Sequence, residues 1–578
     1  MKFLSGYFKQ YKKQAIIGPL FKLLEAVFEL IVPVLVAKII DKGIAAKDFA
    51  LIWKYVGLMG AFALIGYICA LTAQYFASYV ANNIGCTIRS DLFKHILNLK
   101  MADYDKIGSA GILTSLTDDV NQISNGINLF LRLLLRSPFI VVGACVAAFL
   151  IDFKASLIFV CVVIILISII YFNMRITLPL FKKSRTALGN LSGIAENGLS
   201  GVKTIRSFNK SADDFDTFSK QNSNLYNFQL KASSISAMLN PITYVVINLC
   251  ICLLIYYGAI EVDDGVLSKG LVVALYSYMS QILIEVVKLC NLVVNVSRSL
   301  ACLNKVEKLF AYGDNSSSDV ETLTDNDLKN DICVDFKNVS FTYEKNSDAT
   351  INDISFEIKR GEIIGIIGKT GSGKSTIARL LSGIYDTYNG SIKYFGKEIK
   401  NLSEKEKADS IGFVTQKTNI ITGSIRDNII INRSGVNDTD INSASRISCL
   451  EEVITKDAEG LNKMLYATGA GTGLSGGQKQ RLGIARVLAG NPDLLILDDS
   501  TSALDANTES SFLRNLTEMS KDITTVIISQ RIRTVKNCNK ILYIDDGVIL
   551  GFDTHENLYN KLEDYRNFCI LQGQEMNV

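Results

Sequence analysis

Long apolar stretches recur along the first 300 or so residues and then stop. Six of them approach the ~20 residues that a helix needs to cross the hydrocarbon core: Ile16–Ile40, Tyr55–Tyr79, Leu134–Leu150, Leu157–Phe172, Ile242–Gly258 and Leu271–Val287. Lipid offers no partner to loose backbone groups, so each span is expected to be helical. From Ala311 to Asp331 the chain turns polar, in "AYGDNSSSDVETLTDNDLKND". Beyond it, β-rich and helix-like segments alternate to the C-terminus, the pattern of an α/β domain. The expected plan is an all-α six-helix transmembrane domain over 1–310, a linker over 311–330 and an α/β domain over 331–578.

Lysine and arginine orient the membrane half. Lys2, Lys9, Lys12 and Lys13 precede the first span, and nine Lys or Arg residues from Arg175 to Lys231 lie between spans four and five. The connections "DFKAS" and "EVDDGVLSKG" carry little positive charge. Both termini and the long connections 80–133 and 173–241 are therefore expected in the cytoplasm. Polar turns at "YDKIGSAG" and "FNKSADDF" interrupt those connections at helix tips, where they could touch a cytoplasmic domain. The N-terminal lysines also suit a signal peptide, but the apolar run continues through Ile40 with no small-residue cleavage site, so it reads as a span.

Composition narrows the classes. Of 578 residues, 48% are hydrophobic and 20% charged, which fits a membrane half joined to a soluble half. A net charge of +3 names no nucleic-acid partner. The 12 cysteines are scattered without paired CxxC spacing, against a zinc site or disulfide framework. Charges inside spans are costly and usually face a bundle interior or a wet cavity. Lys22 with Glu25 and Glu285 with Lys288 are spaced to pair within one helix, while Glu25 or Glu29 could instead line a substrate cavity. Arg132 and Arg136, beside Pro138, are expected to snorkel.

The chemistry lies in the soluble half. "GKTGSGKST" (Gly368, Lys369, Thr370, Gly371, Ser372, Gly373, Lys374, Ser375, Thr376) fits G-x-x-x-x-G-K-[ST] and sits between the β-rich "EIIGIIG" and the helical "IARLLSGI". Its glycines let backbone N–H groups cradle phosphate oxygens. Lys374 can reach the β- and γ-phosphates of ATP, and the Ser375 hydroxyl can hold Mg²⁺. Asp498 closes the apolar "LLIL" as a carboxylate at a buried strand end near that ion. Between them, Ser475, Gly476, Gly477 and Gln478 of "LSGGQKQR" open a second helix and make a second anion site. One nucleotide hardly needs two such loops from one chain; the second makes sense if it serves a neighbour's nucleotide.

With these motifs the chain resembles the ATP-binding cassette exporters of the half-transporter type, over essentially its whole length. The resemblance implies further roles. Tyr343 in "VSFTY" would stack on adenine, and Gln416 in "FVTQ" would contact Mg²⁺. "LSGGQ" would complete the partner's site, "SALD" (Ser502–Asp505) would join the two sites, and the turns near 104–111 and 208–215 would be coupling helices. Three positions depart from the family. Asp499 stands where it has its catalytic glutamate, Gln530 stands where it has its switch histidine, and "YATGAGTG" lacks the acid that usually precedes the signature. Aspartate is one methylene shorter, ~1.5 Å less reach, and a general base must lie within hydrogen-bond reach of its water. Glutamine cannot carry histidine's positive charge toward the γ-phosphate.

The expected function is ATP-driven export of a small molecule, lipid or peptide. This chain would be the degenerate half of a heterodimer whose other half-transporter carries Glu and His at those two positions. A homodimeric exporter with slow turnover and a nucleotide-gated regulator or channel are the alternatives. The absence of a peptidase-like segment ahead of the first span disfavours a leader-cleaving peptide exporter.

Overall fold

A computed structural model describes residues 2–313, 323, 327, 330–343, 350–433, 435–467, 473–519 and 523–574. Most of the expected linker (314–322, 324–326 and 328–329) and residues 468–472 of the stretch before the signature lie outside them. The chain divides into two compact units, Met1–Asn98 with Ile107–Tyr312, and Leu99–Lys106 with Gly313–Val578.

The first unit is helical throughout. A short helix α1 (Lys2–Gln10) breaks at Tyr11 into α2 (Lys12–Lys38), followed by α3 (Phe49–Leu97). Then come α4 (Met101–Ile107), which straddles the unit boundary, α5 (Ser109–Thr114), α6 (Val120–Leu133) and α7 (Arg136–Ile151). The remaining helices are α8 (Phe153–Ser200), α9 (Val202–Ser207), α10 (Ser211–Ala237), α11 (Leu239–Asp263) and α12 (Lys269–Phe310). Side-chain caps start the long ones: Asp48 accepts from Leu51 N–H at 3.1 Å, and Asp152 from Ala155 N–H at 2.7 Å.

Among the described residues, five helical stretches are long and apolar enough to cross a membrane: Phe49–Leu97, Gly111–Ile151, Phe153–Ser200, Ser211–Asp263 and Lys269–Phe310. The remaining expected span, Ile16–Ile40, falls on α2, which carries Lys22, Glu25 and Glu29. The helices outrun the expected spans. At 1.5 Å per residue, the 48 residues of α8 extend about 72 Å, so much of each lies outside a ~30 Å hydrocarbon core. Left-handed residues interrupt both stretches read as turns, Gly108 (φ 75°) and Asn209 (φ 53°). Between the long helices the core is apolar, with Phe159, Tyr278, Met279 and Ile282 fully buried.

The membrane charges depart from expectation at Arg136. Lys22 pairs with Glu25 at 2.6 Å and Lys288 with Glu285 at 2.8 Å, as the spacing suggested. Arg136, however, does not snorkel. Its side chain is buried and donates to Glu285 on α12 and Glu29 on α2, each at 2.7 Å. A guanidinium that finds two carboxylates inside the bundle need not reach for water.

In the second unit, β1 (Ile332–Phe341), β2 (Ile351–Lys359), β4 (Asn389–Tyr394) and β5 (Lys397–Glu398) form an antiparallel sheet in the order β2-β1-β4-β5. A six-stranded sheet runs β12-β11-β3-β10-β9-β6. Its strands are β3 (Ile363–Ile367), β6 (Ile411–Val414), β9 (Leu494–Asp498), β10 (Thr524–Ile528), β11 (Lys540–Asp545) and β12 (Val548–Asp553). All pair in parallel except β12, an antiparallel edge. A parallel sheet covered on both faces calls for continuous apolar strands; every residue of "LLILD" and "TTVII" is buried. A small ribbon pairs β7 (Gly423–Ser424) with β8 (Met464–Leu465). The helices are α13 (Lys374–Leu381), α14 (Glu404–Ser410), α15 (Ile425–Ile430), α16 (Asp438–Ile447), α17 (Glu451–Thr455), α18 (Gly476–Leu488), α19 (Ala506–Met519), α20 (Ile532–Val535), α21 (His555–Lys561) and α22 (Glu563–Leu571). Leu99–Lys106 packs with this unit: Lys100 meets Asp386 at 2.5 Å, and Tyr385 donates to Asp105 at 2.8 Å.

Candidate nucleotide site

Register assembles the site. Ile528 of β10 stands opposite Ile366 of β3 and Asp498 of β9, and Val414 of β6 opposite Leu497. Four parallel strands therefore end on one line, and the loops leaving them share one crevice, the usual ligand position in open α/β sheets. They carry the phosphate loop, Gln416, the Asp498–Asp499 pair and Gln530. Thr370, Gly371, Gly373, Lys374, Ser375, Thr376, Gln416, Asp498, Asp499 and Gln530 line one cavity of about 380 Å³.

The loop's shape depends on glycine. Gly371 (φ 87°) and Gly373 (φ 98°) are left-handed. A Cβ at Gly368 would lie 1.9 Å from the Ile544 carbonyl oxygen. Gly373 leads into α13, whose first N–H groups are unsatisfied helix donors. Lys374 Nζ donates to the carbonyls of Gly368 (2.8 Å) and Lys369 (2.6 Å) and is buried. Burial holds its ammonium below the usual lysine range, against the pull of Asp499 and Asp498. Ser372 is buried as well, and Lys369 pairs outside with Asp545 at 2.7 Å.

Burial pushes both aspartates above the ordinary carboxylate range. Asp498 accepts from Ser375 Oγ at 3.0 Å, and Asp499 from Gln416 Nε2 at 3.2 Å. A buried carboxylate facing a hydroxyl, in a cavity that the Gln416 amide also lines, offers hard oxygen donors of the kind Mg²⁺ takes while keeping several waters. The residues present fit that ion. Asp499 is held by its backbone. Its φ is +47°, a conformation Asp tolerates, and its N–H donates to the Ile528 carbonyl at 3.0 Å.

Some of the expected residues do not line this cavity. Tyr343 is half exposed and is not among the cavity's lining residues, although its hydroxyl meets Thr376 Oγ1 at 3.1 Å and its ring stands edge-on to Phe341 and Tyr385. The signature also stays out of its own chain's cavity: none of Ser475, Gly476, Gly477 and Gln478 lines it. Ser475 caps α18, accepting from Gln478 N–H at 3.3 Å while Gln478 Oε1 accepts from Ser475 N–H at 2.8 Å.

The motifs gave no sign of the supports behind the site. Glu509, 3% exposed on the first turn of α19, accepts from Thr501 (2.8 Å) and Thr534 (2.9 Å) and pairs with Arg533 (3.0 Å). It thus ties the loop after Asp499 to the segment after Gln530. Gln572, beyond α22, accepts from Ile532 N–H at 2.9 Å and donates to the Gln530 carbonyl at 2.8 Å, so the C-terminal region positions that loop. Gln480 donates to Ser502 at 3.2 Å and accepts from Ala503 N–H at 2.9 Å, joining the signature helix to the "SALD" turn. An isolated Glu or Gln has no spacing signal, and only the folded contacts single these residues out.

Comparison with known proteins agrees with this arrangement. Residues 15–286 match the ABC transporter transmembrane region and residues 351–502 the ABC transporter domain. The uncharacterized ABC transporter ATP-binding protein YfiB of Bacillus subtilis is 29% identical over 97% of this chain and 96% of its own. A candidate export ATP-binding/permease protein of Rickettsia felis is 28% identical over 98% of both chains. A bacterial Atm1-family ABC exporter solved with ATP bound shares the fold at a TM-score of 0.84 and 21% identity, over 99% of each chain. The chain belongs to the ABC transporter family and has the plan of its exporters: a helical, multi-pass membrane domain followed by an ATP-binding domain.

Proposed function

We propose that this chain is the ATP-holding, hydrolytically weak half of a heterodimeric ABC exporter. The observation that carries the reading is the composition of the cavity wall: Asp499 and Gln530 both line the phosphate-loop cavity, where a long base and a cationic switch would serve hydrolysis. Binding uses parts that remain. The loop N–H groups and Lys374 hold phosphates, Tyr343 takes the adenine face, and Ser375, Asp498 and Gln416 hold Mg²⁺, which when bound neutralises phosphate charge. Asp499 must orient the attacking water from a carboxylate ~1.5 Å further back. Its backbone hydrogen bond to Ile528 opposes a compensating advance. Misplacement near 1 Å can cost on the order of a hundredfold.

The signature supplies the other half of the argument. Ser475–Gln478 are well formed on α18 yet serve no phosphate loop of their own chain. Offered to a second half-transporter with Glu and His in its own site, they complete a productive one. The termini, the phosphate loop and the coupling turns face the cytoplasm in this reading, and Leu99–Lys106, packed with the ATP-binding unit, carries nucleotide-driven movement to the membrane helices. The cargo class stays broad: a small molecule, lipid or peptide.

Steady-state ATPase of the purified chain in lipid, with and without the candidate second half, tests this. The lone chain should bind ATP and hydrolyse it at a small fraction of the two-chain rate. Fast, substrate-stimulated hydrolysis by the lone chain would overturn the heterodimer reading.

A further inference from the structure

The N-terminal helix α1 touches the bundle at Tyr7, which donates to Asp91 of α3 at 3.0 Å, and at Phe3, whose ring lies 5.2 Å from that of Phe310 on α12, but it leaves a gap between these contacts. Between it, α6 and α12 the side chains leave a cavity of about 360 Å³, within the range of small-molecule and cofactor sites, ~300–1,000 Å³. Leu4 and Phe8 of α1 form one wall, and Ile123, Ile127 and Leu303, all buried, form the floor. The floor is tight: a Cβ at Gly126 would lie 2.0 Å from Ser299 Oγ, so the glycine lets α6 meet α12 there. Ser299 already donates to the Gln122 carbonyl at 2.6 Å. A guest deep in this cavity meets hydrocarbon on nearly every side.

The mouth has the opposite character. Lys9 and Lys12 border it, both exposed, and neither has an ion-pair partner among the described residues. No acidic residue occurs in the chain before Glu25, and the carboxylate that meets α1, Asp91, accepts from the Tyr7 hydroxyl and pairs with neither lysine among the described residues. An apolar slot with a cationic rim, on a short helix set off from the first span at Tyr11, complements one chemical class. We infer that this cavity binds an anionic phospholipid, with an acyl chain between α1, α6 and α12 and the phosphate headgroup on Lys9 and Lys12. Basic residues beside a membrane attract anionic lipids in this way, and amphipathic segments seat their apolar face at the acyl boundary. The guest would touch α12 directly, the last helix before the ATP-binding unit in the chain.

The test uses the full chain in nanodiscs containing a phosphatidylglycerol or a phosphatidylcholine probe with a photoreactive group on the acyl chain. Crosslinked peptides are read by mass spectrometry. Labelling should concentrate on the segments around Ile123–Phe130 and Val296–Leu303, with a phosphatidylglycerol preference of roughly thirtyfold for two lysines at the surface. Lys9→Glu with Lys12→Glu should bring that preference near parity. Val296→Phe, which fills the slot and keeps both lysines, should remove the labelling while circular dichroism stays unchanged. Equal labelling by the two probes, or undiminished labelling of Val296→Phe, overturns the site. Labelling that disappears during ATP turnover also overturns it, since the guest would then be cargo in transit and not a resident lipid.

Discussion

Replacing Arg136 with methionine tests whether the buried ion cluster of the membrane half acts as a unit. Lys22, Arg136 and Lys288 stand against Glu25, Glu29 and Glu285, three charges of each sign on α2, α7 and α12. Without the guanidinium one negative charge is left over. Glu29 is 39% exposed, so water takes up most of its loss. Glu285 is 3% exposed and, among the described residues, keeps Ser137, at 2.7 Å, and Lys288, at 2.8 Å. Removing one partner of a buried pair costs about 3–5 kcal/mol. With Lys288 still in place the lower end applies, ~3 kcal/mol. At roughly 2–4 °C per kcal/mol in a large domain, the unfolding midpoint should fall by about 6–12 °C. Differential scanning fluorimetry of the full chain in nanodiscs measures this. The double variant Arg136→Met, Glu285→Leu restores two charges of each sign and should recover most of the loss, because a well-packed apolar pair can replace a buried ion pair at little cost. An unchanged single variant, or a double variant no more stable than the single, would refute the account.

Three further outcomes concern the nucleotide site. Lys374→Ala should weaken ATP binding to this chain roughly 10–100-fold, the worth of a charge-assisted hydrogen bond, yet leave substantial turnover in the two-chain complex; Ser475→Arg should do the reverse, and the opposite pattern in an ATPase assay would reassign the sites. Asp499→Glu with Gln530→His should raise single-turnover hydrolysis at this site on the order of a hundredfold, measured with the second site inactivated; an unchanged rate would mean that another feature limits it. Asp498→Asn should raise the nucleotide-free melting temperature at neutral pH but remove stabilisation by Mg·ATP. Because the native Asp498 carboxyl is raised above 3.8, ionising it disfavours the folded state. The variant's advantage should therefore fade as pH falls toward that raised value; an advantage that grows on acidification would contradict the burial argument.

Much of this protein could be read along the chain. The phosphate loop is nine consecutive residues between a strand and a helix, and its chemistry follows from backbone freedom and one lysine, all local. The membrane spans announce themselves because lipid excludes any other backbone arrangement. Asp499 and Gln530 were legible as departures only through the family resemblance, which implies a glutamate and a histidine at those positions. Arg136 was not. Its partners lie 107 and 149 residues away, and a side chain beside a span end looks like one that reaches for water until α2, α7 and α12 are packed together. The sequence suggested that the signature serves a neighbour's nucleotide, but its distance from the chain's own cavity is visible only in the fold, which sets where α18 lies relative to the ends of the parallel strands. Glu509 and Gln572 belong to the same class. Their value lies in joining loops far apart in the chain, and such contacts exist only once strand register has brought the loops to one edge.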